Sequence, residues 1–301
     1  MRQSAINTEY GKVFRLLRKS KNFTLAEAAS RVISPSQLAR FECGNSRLST
    51  DSFFQVLNNI NVEVDEFQTV WNTHNQTKDI FLSYHQVQDA YLQKNIHKLE
   101  YLLELAEDNL KKKASQLKAK LDRIIVIAAI SMIHLQKKIS DEDLVFVQNY
   151  LEGIQIWGIY ELRLIQWTAN AFDPFTLSRL TNIMLAPVQI EKRTYFHELY
   201  QTQATLNIIN QFIEANQPTL AQKYILFLED RGIGEYYMNE KLTLLCHKAR
   251  LDFLLGDASA LETLKKNLEI FKHCGCFQIA VQISDEITQM EKKLQGLKEA
   301  Y

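Results

Sequence analysis

Residues 24–44 read TLAEAASRVISPSQLARFECG, and this stretch decides what the rest of the chain is for. Thr24 followed three places later by Glu27 is a capping box: the hydroxyl accepts the backbone N–H of the third helical residue, and the carboxylate reaches back to the cap. One helix therefore starts at Thr24. Ser34 is a second N-cap, with Pro35 at the first helical position, where a missing N–H costs nothing, and Gln37 in the reciprocating place. A second helix starts there, and Gly44 ends it. Arg31, Val32 and Ile33 leave room only for a tight turn between the two. Two short helices joined so closely form a helix-turn-helix, whose second helix enters the DNA major groove.

Within the second helix, Ser34, Ser36, Leu38, Arg40, Phe41, Glu42 and Gly44 give S-x-S-x-L-x-R-F-E-x-G. This pattern resembles the phage-repressor-like class and, within it, the Rgg family of Gram-positive peptide-sensing regulators. The turn carries no glycine and is about one residue shorter than in phage repressors, and Ala39 stands where the family often has Ser. The resemblance implies that Arg18 pairs with Glu42 inside the domain and fixes the first helix against the end of the second, which makes Arg18 structural. It also implies a helical repeat domain following the DNA-binding one, so that it extends over the full length.

With 301 residues, 46% of them hydrophobic and 23% charged, the chain has the make-up of a folded globular protein rather than a disordered one. Only 9 Gly and 4 Pro leave few breakers, so helices dominate and the fold class is all-α. No apolar run is long enough to span a bilayer and MRQSAINTEYGK has no apolar secretion core, from which we expect a cytoplasmic protein without membrane contact. Cys43, Cys246, Cys274 and Cys276 follow no zinc spacing, so reduced thiols and no metal are expected. The net charge of zero hides an asymmetry: residues 1–50 hold nine Lys and Arg, Arg2 among them, against Glu9, Glu27 and Glu42, an excess of six that the remainder balances. A basic cluster coinciding with a helix-turn-helix points to nucleic acid as partner. The residues expected at the DNA are Arg15, Thr24, Ser34, Ser36, Gln37, Arg40 and Arg47, with Gln37 suited to adenine and Arg40 to guanine or phosphate.

In chain order, a first helix is expected over Thr8–Ser20, with Tyr10, Val13, Phe14 and Leu17 inward. A fourth, capped by Ser49, turns Phe53, Val56, Leu57 and Ile60 inward, and a fifth does so with Val64, Phe67, Val70 and Trp71. Five helices complete a domain over 1–71; the polar run 72–77 reads as a linker. From Lys78 to Tyr301 amphipathic helices alternate with short breaks, as at Lys94-Asn95, Gln217-Pro218 and His273-Cys274-Gly275. Asp89–Asp108 and Ala260–Gly275 look like degenerate tetratricopeptide-type hairpins, implying a right-handed superhelix of hairpins, each burying its apolar face only against a neighbour.

The concave surface of such a stack suits an extended peptide, whose backbone Asn side chains grip through both amide and carbonyl. Tyr160, Arg163, Trp167 and Asn170 fall at helical spacing on one stripe, with Trp157 just before it, and Asn207 and Asn210 are further candidates. Each aromatic has an alternative reading as packing between hairpins; Arg163 and Asn170 are harder to bury. Nucleotide-binding, zinc-protease and nucleophile-elbow motifs are absent and the seven His are scattered, so neither an enzyme nor a cofactor is expected. The sequence thus predicts a regulator that binds promoter DNA and is controlled by a short peptide; the rival is a helical-repeat protein–protein adaptor. One short recognition helix reads few bases, so a homodimer on a two-fold site is expected. Members of the resembled family carry a Cys near Cys43, which suggests an intersubunit Cys43–Cys43 disulfide, set against a plain surface thiol.

Overall fold

The computed structural model describes residues 9–74, 84–111, 116–134, 137–186 and 195–299, with the backbone alone for 84, 85, 195 and 296–299. Every regular element among them is helical, and contacts divide the chain into two units, Met1–Ser83 and Tyr84–Tyr301.

The first unit holds α1 (Glu9–Ser20), α2 (Leu25–Ala29), α3 (Pro35–Glu42), α4 (Thr50–Asn59) and α5 (Val64–His74). The expected start of α1 at Thr8 and the basic residue Arg2 lie outside the described residues. Side chains of Thr24, Ser34 and Ser49 each accept the N–H of the residue three places on, so α2, α3 and α4 start where the sequence places them. Val13, Phe14, Leu38, Val56, Leu57 and Phe67 make one core, with Phe53 against Phe67 edge to face at 4.9 Å. Two side chains expected inward lie at its rim. Tyr10 is 39% exposed and stacks on Trp71 at 5.1 Å, and Val64, in the first turn of α5, is 49% exposed. Asn72, Thr73 and His74, expected to be irregular, instead close α5: Asn72 accepts from Gln68, and the Thr73 hydroxyl donates to the Thr69 carbonyl. Residues 75–77 of that expected linker lie outside the described residues.

Gly11 went unnoticed in the sequence and is the tightest point of this unit. A Cβ there would sit 1.9 Å from the Phe41 carbonyl oxygen and 2.8 Å from its carbon, so α1 crosses α3 backbone on backbone. Two turns further along, Arg18 spans the same crossing. Its Nε donates to Glu42 Oε1 at 2.6 Å, Nη2 to Oε2 at 2.8 Å, and Nη1 to the Phe23 carbonyl at 2.7 Å. Arg18 and Glu42 are 7% and 4% exposed, so this is the fully satisfied, bidentate kind of buried pair, with the desolvation of both ions offset by three hydrogen bonds.

The second unit runs α6 (Tyr84–Leu92), α7 (Ile96–Lys111), α8 (Gln116–Ile133), α9 (Asp141–Gly153), α10 (Ile159–Thr168), α11 (Pro174–Leu185), α12 (Tyr195–Glu214), α13 (Pro218–Arg231), α14 (Met238–Leu254), α15 (Ala260–His273) and α16 (Phe277–Glu299). Contacts order α6, α8, α10, α12 and α14 side by side as one row. Behind it α7 packs on α8, α11 on α12 and α13 on α14. This is the stacked-hairpin arrangement expected of tetratricopeptide-like repeats. Helix α8 shows its logic: Ile124 to Ile130 are all buried, an unbroken apolar run on a helix with neighbours all round. Helix ends are drawn by one device. After α6, α12, α14 and α15, Lys94, Asn216, Gly256 and Gly275 take positive φ, and the next N–H reaches back to close the last turn, as Gln217 does to the Phe212 carbonyl at 2.8 Å.

Gly11→Ala is expected to destabilise the first unit by about 1–3 kcal/mol through overpacking, because the obstructing atom is a backbone carbonyl that no rotamer change moves. Chemical denaturation followed by Trp71 fluorescence measures it.

Candidate functional site: a reading helix and a polar ladder

Helix α3 is fixed at both ends. At its start the Ser34 hydroxyl accepts Gln37 N–H at 3.2 Å, with Pro35 in the first turn. At its end Gly44, φ 74°, lets the Asn45 N–H reach the Arg40 carbonyl at 2.8 Å. Leu38 and Phe41 are buried beneath it, while Ser36, Gln37 and Arg40 are exposed on the outer side. Arg15 on α1 and Arg47 after α3 are exposed as well. Arg47 also borders a cavity of about 350 Å³ lined by Tyr10, Phe41, Ser46, Leu48, Thr50 and Phe53. Thr24 and Ser34 have capping work to do. Thr24 Oγ1 donates to Glu27 Oε2 at 2.7 Å, the same oxygen that takes the Thr24 N–H, and these bonds hold the Glu27 carboxyl below its usual range. Ser34 Oγ lies 3.0 Å from Ser36 Oγ. In the turn, the left-handed position falls on Ser30, φ 46°, so serine occupies a place that favours glycine. Cys43, the C-cap of α3, is exposed.

In the second unit, polar side chains link successive helices of the α8–α10–α12–α14 row. Tyr160 donates to Asp122 Oδ1 at 3.0 Å across α10 and α8, and Lys118 also reaches Asp122. Burial, with Asp122 beside it, holds the Tyr160 phenol above its usual range, so it remains a donor. Arg163 Nη2 donates to the Tyr200 hydroxyl at 2.7 Å and lies over that ring at 4.6 Å. Asn207 Nδ2 donates to the Gln166 carbonyl at 2.6 Å, and Gln203 Nε2 to Glu240 Oε1 at 2.8 Å. Asn210 accepts from Arg250 Nη1. Tyr200, Gln203, Asn207, Asn210 and Glu214 follow one another at spacings of three and four along α12, a single stripe.

The structure therefore draws Tyr160, Arg163, Asn207 and Asn210 into one ladder. Asn170 is exposed, on the 3-10 turn Ala169–Ala171 rather than on the continuous helix expected. Trp167 is only 6% exposed and meets Tyr91 of α6 edge to face at 5.1 Å. Trp157 is 4% exposed and donates to the Leu151 carbonyl at 3.1 Å, which places it in the packing and off the stripe. The ladder also holds Asp122, Tyr200, Gln203, Glu240 and Arg250, none of them foreseen. The periodic run on α12 carried a signal for Tyr200 and Gln203; Arg250 and Asp122 had none, because only the stacking brings them in. His247, one turn before Arg250, is pushed down to about 3 by burial, then by the neighbouring guanidinium, and stands neutral. Among the described residues no group of three metal-binding side chains occurs, and no helix is long and apolar enough to cross a membrane.

Residues 103–285 match the family model for the C-terminal domain of HTH-type transcriptional regulator Rgg. Among solved structures, the chain is similar to the SHP pheromone receptor Rgg2 of Streptococcus dysgalactiae: 24% identity, TM-score 0.71, covering 93% of this chain and 99% of that one. A cysteine-to-serine variant of that receptor gives 25% identity and the same TM-score, over 92% and 98% of the two chains. PrgX in complex with iCF10 shares the fold at 14% identity and TM-score 0.67, over 95% and 97%.

Two outcomes follow from this geometry. Gln37→Ala and Arg40→Ala, both outward on a helix held from beneath, are each expected to cost about 1–3 kcal/mol in specific DNA binding, read by fluorescence anisotropy, with thermal stability unchanged. Because the folded pKa of His247 is depressed from 6.5 to about 3, its neutral form contributes stability that is complete above pH 6.5 and is lost as pH falls between those values. His247→Gln is expected to flatten that part of the stability profile in thermal melts from pH 7 to pH 4.

Proposed function

Since the chain belongs to the Rgg family of HTH-type transcriptional regulators, we propose that it reads promoter DNA with α3 and answers to a short peptide bound along the polar ladder of its helix row. The observation that carries the DNA half is α3 itself: an outward set of Ser36, Gln37 and Arg40 on a helix pinned through Glu42, beside the exposed cations Arg15 and Arg47. Those two cations suit phosphates, while Thr24 and Ser34 contribute as caps whose hydroxyls lie next to the reading side.

Support for the peptide half comes from the ladder, whose Asn, Gln and Tyr groups supply both donors and acceptors, and from the solved relatives named as a pheromone receptor and as a complex with iCF10. Arg163, Asn170, Asn207 and Asn210 are its contacts in this reading, with Tyr160 and Trp167 forming the wall. The working form is a cytoplasmic homodimer on a two-fold site, which brings the two copies of Cys43 toward each other. Cys43 is then either bridged to its copy under oxidation or a plain surface thiol: a covalent dimer on a non-reducing gel that vanishes in Cys43→Ser but survives in Cys274→Ser supports the bridge, and its absence in mildly oxidised wild type rules it out.

Mobility-shift titration against the DNA upstream of the chain's own coding sequence tests the first half; no retarded band at low salt overturns it. Affinity selection of a random heptapeptide library on the full chain, read by mass spectrometry, tests the second. Asn170→Ala, exposed and free of packing duties, is expected to weaken peptide retention about fivefold, the worth of one hydrogen bond, with ligand-free DNA affinity unchanged.

A further inference from the structure

The ladder ends in a group that differs from its other rungs. Arg250 on α14 is 6% exposed and directs its three nitrogens at three partners on two other helices. Nη1 donates to Asn210 and Nη2 to Glu214, both on α12, and Nε lies 3.3 Å from Glu286 Oε2 on α16. The three partners are not equivalent. Asn210 is half-buried, and the Glu286 side chain is 34% exposed, with burial its largest perturbation. The Glu214 side chain is 61% exposed. It is the last residue of α12, where unpaired carbonyls make a carboxylate unwelcome, and it also repels Glu286. Arg250 is thus a guanidinium already out of water, its fork oriented by two partly buried partners, and its remaining position filled by a carboxylate mostly in water and poorly placed on its own helix.

We propose that Arg250 is the receptor for the terminal carboxylate of the peptide ligand and that Glu214 is the carboxylate such a ligand displaces. The inference rests on the peptide reading above and adds the ligand's end group and orientation. The exchange keeps the charge count at Arg250 unchanged, since one carboxylate replaces another. Glu214 on release passes into water that it already largely contacts, away from Glu286, at small cost. The desolvation of Arg250 is met in the free protein, so the ligand gains a charge-assisted contact at Nη2 without burying a new cation. A peptide ending in a carboxamide has no such exchange open to it: Glu214 stays, and the neutral end is crowded against it. Asn210, one turn before Glu214 on the stripe, is placed to take the last backbone amide of the same ligand.

The test uses the full chain and two random heptapeptide libraries, identical except that one ends in free carboxylates and the other in carboxamides, with retained peptides counted by mass spectrometry. Retention of the free acids is expected to exceed that of the amides about tenfold or more, the worth of a hydrogen bond to a charged group. Glu214→Gln, on an exposed side chain whose folding circular dichroism checks, is expected to raise retention of the acids about two- to fivefold by removing the competitor, and to leave the amides unchanged. Equal retention of both libraries by the wild type, or weaker binding of acids by Glu214→Gln, overturns the carboxylate receptor while leaving the peptide reading intact. Retention of neither library overturns the peptide reading and this proposal with it.

Discussion

An α-helical hairpin has more apolar surface than its own two helices cover, and the second unit is built to meet that constraint. Helix α8, buried from Ile124 to Ile130 on every side, is stable only between α6, α7 and α10. The same holds along the row, where each of α8, α10 and α12 has one neighbour before it and one after. Burial therefore fixes the helices in line, and polar groups left between them bond across to the next helix. The ladder is a by-product of stacking.

The first unit solves a different problem at smaller scale. Its core is small, so one close crossing does much of the positioning. Gly11 lets α1 meet α3 at the backbone, and Arg18 to Glu42 locks the far side of the same crossing through two helices and the Phe23 carbonyl. Side chains on the outer face of α3 inherit that rigidity, which is what a surface reading base edges requires.

Much of this was legible in the residues. Thr24, Ser34 and Gly44 act within three or four positions of themselves, so their reading needs no tertiary information, and the helix boundaries they mark are those of the structure. The breaks of the second unit at Lys94, Asn216, Gly256 and Gly275 are equally local. Gly11 was missed because its neighbour is Phe41, on another helix, and a glycine within an amphipathic helix carries no mark of what crosses it. Arg250 was missed for the same reason: Asn210 and Glu286 lie on either side of it in sequence, and only stacking brings them together. Asn170 was assigned to a helix on periodicity, which runs on for a turn while the backbone tightens into a 3-10 turn before Asp173 and Pro174.

Tyr200, Gln203, Asn207, Asn210 and Glu214 bond to two different helices, α10 and α14, yet all five project from α12 at intervals of one turn. A helix so tied resists sliding, because a shift of about 2 Å along its axis stretches bonds that run across that axis toward the limit of hydrogen bonding. Whatever moves α12 against α10 or α14 therefore acts on several of its rungs at once.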